Sequence, residues 1–253
     1  ERFYEKWIRM GHDRVKEEDM GSAWELMSSM TGDVMSGYNY RGPFWDALRD
    51  QLLGRGSEKG LLKEFLEKEV SYGGPFAVSR CELSFGMGKG DHLPPVRISL
   101  PGDETGPDSF LLRGAVDRVD VLRSPGGNLS FIWDYKTGGS NVDSDSLQVP
   151  LYLSAIREVF PDEFPAGGGY YYVRRRGSIK ADPVLGQEVW EGSLTGRDKL
   201  QGHIDAMQES IHSSIQESLE IIDTIRSGDM TPDRGCGLKG CPFEGMCRRG
   251  DLR

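Results

Sequence analysis

Apolar residues recur every three or four positions near both ends of the chain and every second position through its middle. Phe3, Trp7 and Met10 fall at helical spacing, and Ser22 to Met30 continues in the same style. After Gly42 and Pro43 come Phe44, Trp45, Leu48, Leu52 and Leu53, and then Leu61, Leu62, Phe65 and Leu66. Residues 1–74 therefore read as a helical segment whose stripes are core or packing faces. From about residue 75 the period becomes two. Strands are expected over 75–87, 96–100, 110–123 and 128–138, and the turn Ser124, Pro125, Gly126, Gly127, Asn128 folds the last two into an antiparallel hairpin. Residues 145–160 read as a helix that tolerates Pro150 in its first turn. Another strand is expected over 167–177 and a long amphipathic helix over 198–228. The scheme is a single domain: helical segment, core over 75–228, and cysteine-bearing tail over 229–253. Helices, antiparallel strands, helix, strand and helix in that order imply an α/β fold around a central mixed β-sheet flanked by helices.

Composition narrows this picture only slightly. The chain has 253 residues, 37% hydrophobic and 28% charged, as expected of a globular protein. It contains no run of about 18 apolar residues, so no membrane-spanning helix is expected. It opens on a charged, helix-like stretch with neither a methionine nor a visible signal sequence, so a segment of a longer, cytoplasmic protein is expected. The net charge of −9 argues against a surface coated in basic residues but leaves room for a local groove. Arg174, Arg175 and Arg176, and Arg248 and Arg249, form local basic clusters, read either as solvated ends or as contacts to a polyanion.

The chemistry concentrates on the expected hairpin. Asp134 and Lys136 alternate with Tyr135 where the apolar run Phe131, Ile132, Trp133 ends, so the acid and the ammonium share a face. The neighbouring strand carries Asp117 among apolar residues, where a carboxylate must be paired, coordinated or catalytic. Two carboxylates brought together across a hairpin repel unless a cation lies between them, and hard oxygen donors suit Mg²⁺ or Mn²⁺. Such an ion would polarise a phosphodiester and acidify a water, with Lys136 orienting that water or offsetting transition-state charge.

Asp117 followed by Asp134, Tyr135 and Lys136 resembles the PD-(D/E)XK nuclease superfamily. The longer string, Gly114, Asp117, Arg118, Val119, Asp120 and then Trp133 to Gly138, resembles its RecB-type branch, as does the Gln-x-x-x-Tyr pattern of Gln148 and Tyr152. Within that branch the chain is similar to the iron–sulphur nuclease domains of AddB-like helicase–nuclease subunits, over most of its length. The resemblance implies a restriction-endonuclease-like fold and cleavage of DNA, as single strands or duplex ends, beside a helicase subunit or domain in bacterial DNA repair and recombination. It implies that Asp117, Asp134 and the backbone carbonyl of Tyr135 hold the divalent ion, that Lys136 is catalytic, and that Gln148 and Tyr152 reach the DNA. Without it, Tyr152 reads as a core aromatic and Gln148 as a cap or surface residue. Glu82 matches an acidic position ahead of the second active-site strand, either in the site or in a structural salt bridge. A metal-binding histidine is expected upstream of Glu1. His12 reads as a solvated helix position, and His92, His203 and His212 show no ligand spacing. The alternatives to an active enzyme are a nuclease-like module that only binds DNA or a partner, and a small-molecule enzyme using the acidic pair for another metal reaction.

Cys236, Cys241 and Cys247 form C-x4-C-x5-C, a clustering that suits a metal or iron–sulphur centre better than disulfides. The resemblance implies three ligands of a 4Fe–4S cluster, with a fourth cysteine upstream of Glu1; the cluster is then expected to be absent or labile in this fragment. Three free thiols in a tail are the alternative. Cys81 reads as a buried core cysteine, or otherwise as the fourth ligand.

Overall fold

The computed structural model describes residues 2–38, 40–72, 74–88, 93–100, 108–124, 127–137, 146–173, 179–193 and 197–228. The first part holds α1 (Arg2–Arg9), a short 3-10 turn, α2 (Met20–Gly37) and α3 (Pro43–Leu53). A small hairpin of β1 (Gly54–Arg55) and β2 (Glu58–Lys59) then leads to α4 (Leu61–Tyr72). Next come β3 (Ala77–Phe85), β4 (Val96–Ser99), β5 (Ser109–Leu112), β6 (Gly114–Leu122) and β7 (Asn128–Lys136). The chain continues through α5 (Gln148–Val159), β8 (Glu163–Tyr172), β9 (Lys180–Leu185), α6 (Gln187–Trp190) and α7 (Arg197–Arg226).

Five strands form the central sheet in the order β3-β6-β7-β8-β9, and only β7 and β8 are parallel. A parallel neighbour needs a crossover rather than a tight turn, and α5 supplies it. The sheet is mixed and helix-flanked, as the period change implies. Alternation along β7 sends Phe131 and Trp133 to one core and Ile132 to the other. The first core gathers Phe3, Tyr4 and Trp7 of α1, Ala23 and Met27 of α2, Phe65 and Leu66 of α4, and Trp190 of α6. The second is closed by Val149, Leu153 and Ile156 of α5 and by Met207, Ile211, Ile215 and Leu219 of α7, a stripe at four-residue spacing.

Three local features differ from the sequence reading. The expected strand over 110–123 is broken at Arg113: β5 pairs with β4 in a separate two-stranded sheet, and β6 joins the central one. The strand β9 was not anticipated, because Pro183 interrupts its pattern; at the sheet edge a proline is tolerated. The stripe on α3 is a half-buried packing face at Trp45, Leu48, Leu52 and Leu53, but its first member, Phe44, is 80% exposed beside the ring cluster of Tyr38, Tyr40 and Trp45. Pro150 does occupy the first turn of α5. The tail with Cys236, Cys241 and Cys247, the arginine clusters at 174–176 and 248–249, and His92 lie outside the described residues.

Candidate active site

The β6–β7 ladder pairs Leu122 with Leu129 and runs to Arg118 opposite Trp133. One step further the same register sets Asp117 across from Asp134. There the side chain takes over from the backbone: Tyr135 donates its N–H to Asp117 Oδ2 at 2.7 Å. On β3, Cys81 pairs with Arg118 and Leu83 with Val116, which sets Glu82 opposite Asp117 on the other side. Glu82 has φ of 52°, the left-handed region that non-glycine residues enter at a cost. Glu82, Asp117 and Asp134 thus stand in a row across three adjacent strands.

Burial raises the Asp117 carboxyl above its usual range, and the charges of Asp134 and Glu82 add to that rise. The Tyr135 hydrogen bond and Lys136 oppose it. Glu82 thus lies close enough to Asp117 for its charge to be felt there.

Asp134 is tied down at both oxygens. Lys136 Nζ lies 2.6 Å from Oδ2, and Gln148 Nε2 donates to Oδ1 at 2.6 Å. Lys136 Nζ also donates to Gln148 Oε1 at 3.1 Å, closing a three-residue ring. Gln148 reaches it because α5 begins there and lies over the face of β7 that carries Asp134 and Lys136. The structure therefore brings together Asp117, Asp134, Lys136 and Gln148. Tyr152 sits one helical turn on, edge-to-face with Phe85 at 5.9 Å, and covers Gly114 so closely that a Cβ there would lie 2.9 Å from its hydroxyl. Tyr152 is half-buried against the second core.

Two neighbours were missed from sequence. Tyr170 pairs with Asp134 across β7 and β8, its ring 5.3 Å from Lys136 Nζ, and its hydroxyl donates to Ser146 Oγ at 3.0 Å. The signal was the strand over 167–177, whose partner only the crossover fixes. A cleft of about 630 Å³ opens beside the end of β7, lined by Phe3, Met27, Leu61, Phe65, Glu82 and Thr137 among others. His12 lies elsewhere, stacked on Trp7 at 3.9 Å and 3.8 Å from Asp19. His203 Nε2 sits 2.7 Å from the Ala166 carbonyl. Cys81 is half-buried against the first core, and burial pushes its thiol up to about 11.

Among the described residues no three His, Cys, Asp or Glu side chains converge as a metal cage. The candidate donors are instead the carboxylates of Asp117 and Asp134, beside Glu82, in a site carrying more negative charge than Lys136 offsets. That chemistry fits a hard divalent ion that fills the rest of its shell with water and phosphate.

The helix-flanked mixed sheet thus carries Asp117, Asp134 and Lys136 on two antiparallel strands, with Gln148 reaching them from the crossover helix. The chain belongs to the PD-(D/E)XK nuclease superfamily, which it matches over residues 2–248. It is 26% identical over 244 residues to an ATP-dependent helicase/deoxyribonuclease subunit of Lysinibacillus sphaericus (strain C3-41), covering 89% of this chain and 20% of that protein. Proteins of the same description from Moorella thermoacetica (strain ATCC 39073 / JCM 9320) and Symbiobacterium thermophilum (strain DSM 24528 / JCM 14929 / IAM 14863 / T) are 32% identical over 151 residues and 36% over 102. These stretches cover 51% and 38% of this chain, and 12% and 8% of those proteins. The chain thus spans about a fifth or less of the length of these curated relatives. Among the described residues no helix is long and apolar enough to cross a membrane.

Proposed function

We propose that this chain hydrolyses DNA phosphodiester bonds at Asp117, Asp134 and Lys136 with Mg²⁺ or Mn²⁺, as the nuclease part of a helicase–nuclease that processes DNA ends in repair and recombination. The observation that carries this reading is the Asp134–Lys136–Gln148 ring set across the strand break from Asp117. Asp117, Asp134 and the Tyr135 carbonyl would hold the ion. When bound, it supplies Lewis-acid polarisation of the phosphodiester and a more acidic water. Lys136, paired with Asp134, would orient the attacking water or offset charge on the phosphate in the transition state. Gln148 holds both side chains in place meanwhile, and Tyr152 presents its hydroxyl from the next turn of the same helix face. Cys236, Cys241 and Cys247 would serve as three of the four thiolate ligands of a 4Fe–4S staple. The helicase role of the named relatives supports a helicase subunit or fused domain as partner.

The test is cleavage of end-labelled single-stranded and duplex DNA, by the chain and by a version extended upstream of Glu1, in Mg²⁺, Mn²⁺ or EDTA. Cutting that EDTA stops, and that Asp134→Asn and Lys136→Met each lower by roughly a thousandfold, is expected from loss of charge stabilisation of this kind. Binding without cutting in every form would make the domain a nuclease-like binding module instead.

A further inference from the structure

Opposite the proposed site, on the other face of the same strands, lies a buried ionic network that the reaction as described does not use. Arg118 follows Asp117 in sequence but points the other way and is 4% exposed. Its Nε and Nη2 form a fork on the fully buried Asp120, at 2.7 and 2.8 Å. Its Nη1 donates to Glu69 Oε2 of α4 at 2.7 Å and to the Tyr135 hydroxyl at 3.3 Å. The guanidinium lies 4.7 Å from the ring centroid of Tyr4 of α1, and Tyr4 donates its hydroxyl to the same Glu69 oxygen. Burial works against the Arg118 charge, but Asp120 and Glu69 outweigh it, so the guanidinium stays protonated.

Buried ion pairs are a poor source of stability, because desolvation consumes most of the Coulombic gain and apolar residues of equal volume serve as well. What such a network does supply is fixed geometry. Tyr135 is where that geometry crosses the sheet: its ring joins Arg118 on one side, its N–H holds Asp117, and its chain neighbours are Asp134 and Lys136. Adjacent residues of a strand move together, so displacing the Tyr135 ring displaces both neighbours.

We infer that Arg118 is a positioning residue: held by Asp120 and Glu69, it fixes Tyr135 from the far face and thereby sets Asp117, Asp134 and Lys136. The inference deepens the proposed function and rests on that reading for its effect on cleavage. Small misplacement of reacting groups is costly, and residues that orient metal ligands are worth about 10- to 100-fold in activity or affinity.

The variants are Tyr135→Phe, which removes one hydroxyl, Arg118→Lys, which keeps the charge and loses the fork, and Glu69→Gln. Three quantities are measured on the chain: hydrogen exchange of the Tyr135 amide without any metal, the Mn²⁺ Kd, and kcat against KM on single-stranded DNA. The expected result is faster Tyr135 exchange, a raised Mn²⁺ Kd, and kcat lowered about 10- to 100-fold with KM little changed. Variants that only melt earlier, with all three quantities as in the unaltered chain, would overturn the inference. If Arg118→Lys or Glu69→Gln does not fold, Tyr135→Phe decides alone. If the unaltered chain cuts no DNA, the proposed function fails separately, and amide exchange and Mn²⁺ affinity still decide: a change in both supports Arg118, no change refutes it.

Discussion

Asp117 is held as a charge at a cost. A carboxyl raised in the folded state takes up protons more readily folded than unfolded. Its contribution therefore favours folding at low pH and is lost as pH rises through the raised value. Two outcomes follow in metal-free buffer at neutral pH: Asp117→Asn melts higher than the unaltered protein, and its advantage shrinks as the pH is brought down into the carboxylate range. Thermal melts across that range are the check, and an Asp117→Asn protein that melts lower at neutral pH contradicts the argument. In the unaltered protein, Mg²⁺ should raise the melting temperature if the proposed site binds it in the folded state. The same addition leaves Asp117→Asn nearly unmoved.

At the scale of elements, the crossover depends on how closely α5 and β9 approach β8. Gly168 leaves no space beneath α5: a Cβ there would lie 2.5 Å from Ile132 and 2.9 Å from Val149. At Gly169 the clash is with backbone, 2.3 Å from the Asp182 carbonyl, which cannot swing aside. Gly169→Ala should cost about 1–3 kcal/mol, an overpacking penalty, and loosen β9 before the rest of the sheet. Denaturant unfolding with hydrogen exchange on β8 and β9 measures both. Period two revealed β7 and its acid–lysine alternation because each core takes every second residue of that strand. It did not reveal β9, whose Pro183 breaks the pattern at an edge where no partner needs the missing N–H. Nor did it reveal that Phe44, at the head of the α3 stripe, stays exposed while Trp45, Leu48, Leu52 and Leu53 are half-buried. Gln148 was legible only through its motif, since the helix start that aims it at Asp134 is set by packing on β7. Arg118 and Asp120 were legible as motif residues, but their partner Glu69 lies 49 positions before Arg118, a distance that periodicity does not bridge.

At the scale of the whole molecule, the sheet divides two cores, and the proposed site sits at the end of the strands rather than in either core. The helices α1, α2 and α4 reach it only through Arg118 and the cleft beside Glu82 and Thr137, whereas α5 reaches it directly. The proposed iron–sulphur staple belongs to a third region, residues 229–253, and is tested by itself. In a version extended upstream of Glu1, Cys247→Ser should strip bound iron and sulphide and lower the melting temperature, as loss of a structural metal does. Iron content equal to that of the unaltered protein would remove the cysteines from the proposal.

The strands β6 and β7 part at the Arg118–Trp133 pair, and a single carboxylate finishes the ladder where a peptide carbonyl would otherwise stand. That gives position 117 a strict size requirement alongside its electrical one. An asparagine keeps an oxygen at the same reach and leaves the seam closed, although it surrenders the anion. A glutamate keeps the anion but, one methylene longer, wedges the seam apart, so at this position preserving charge is the more disruptive exchange.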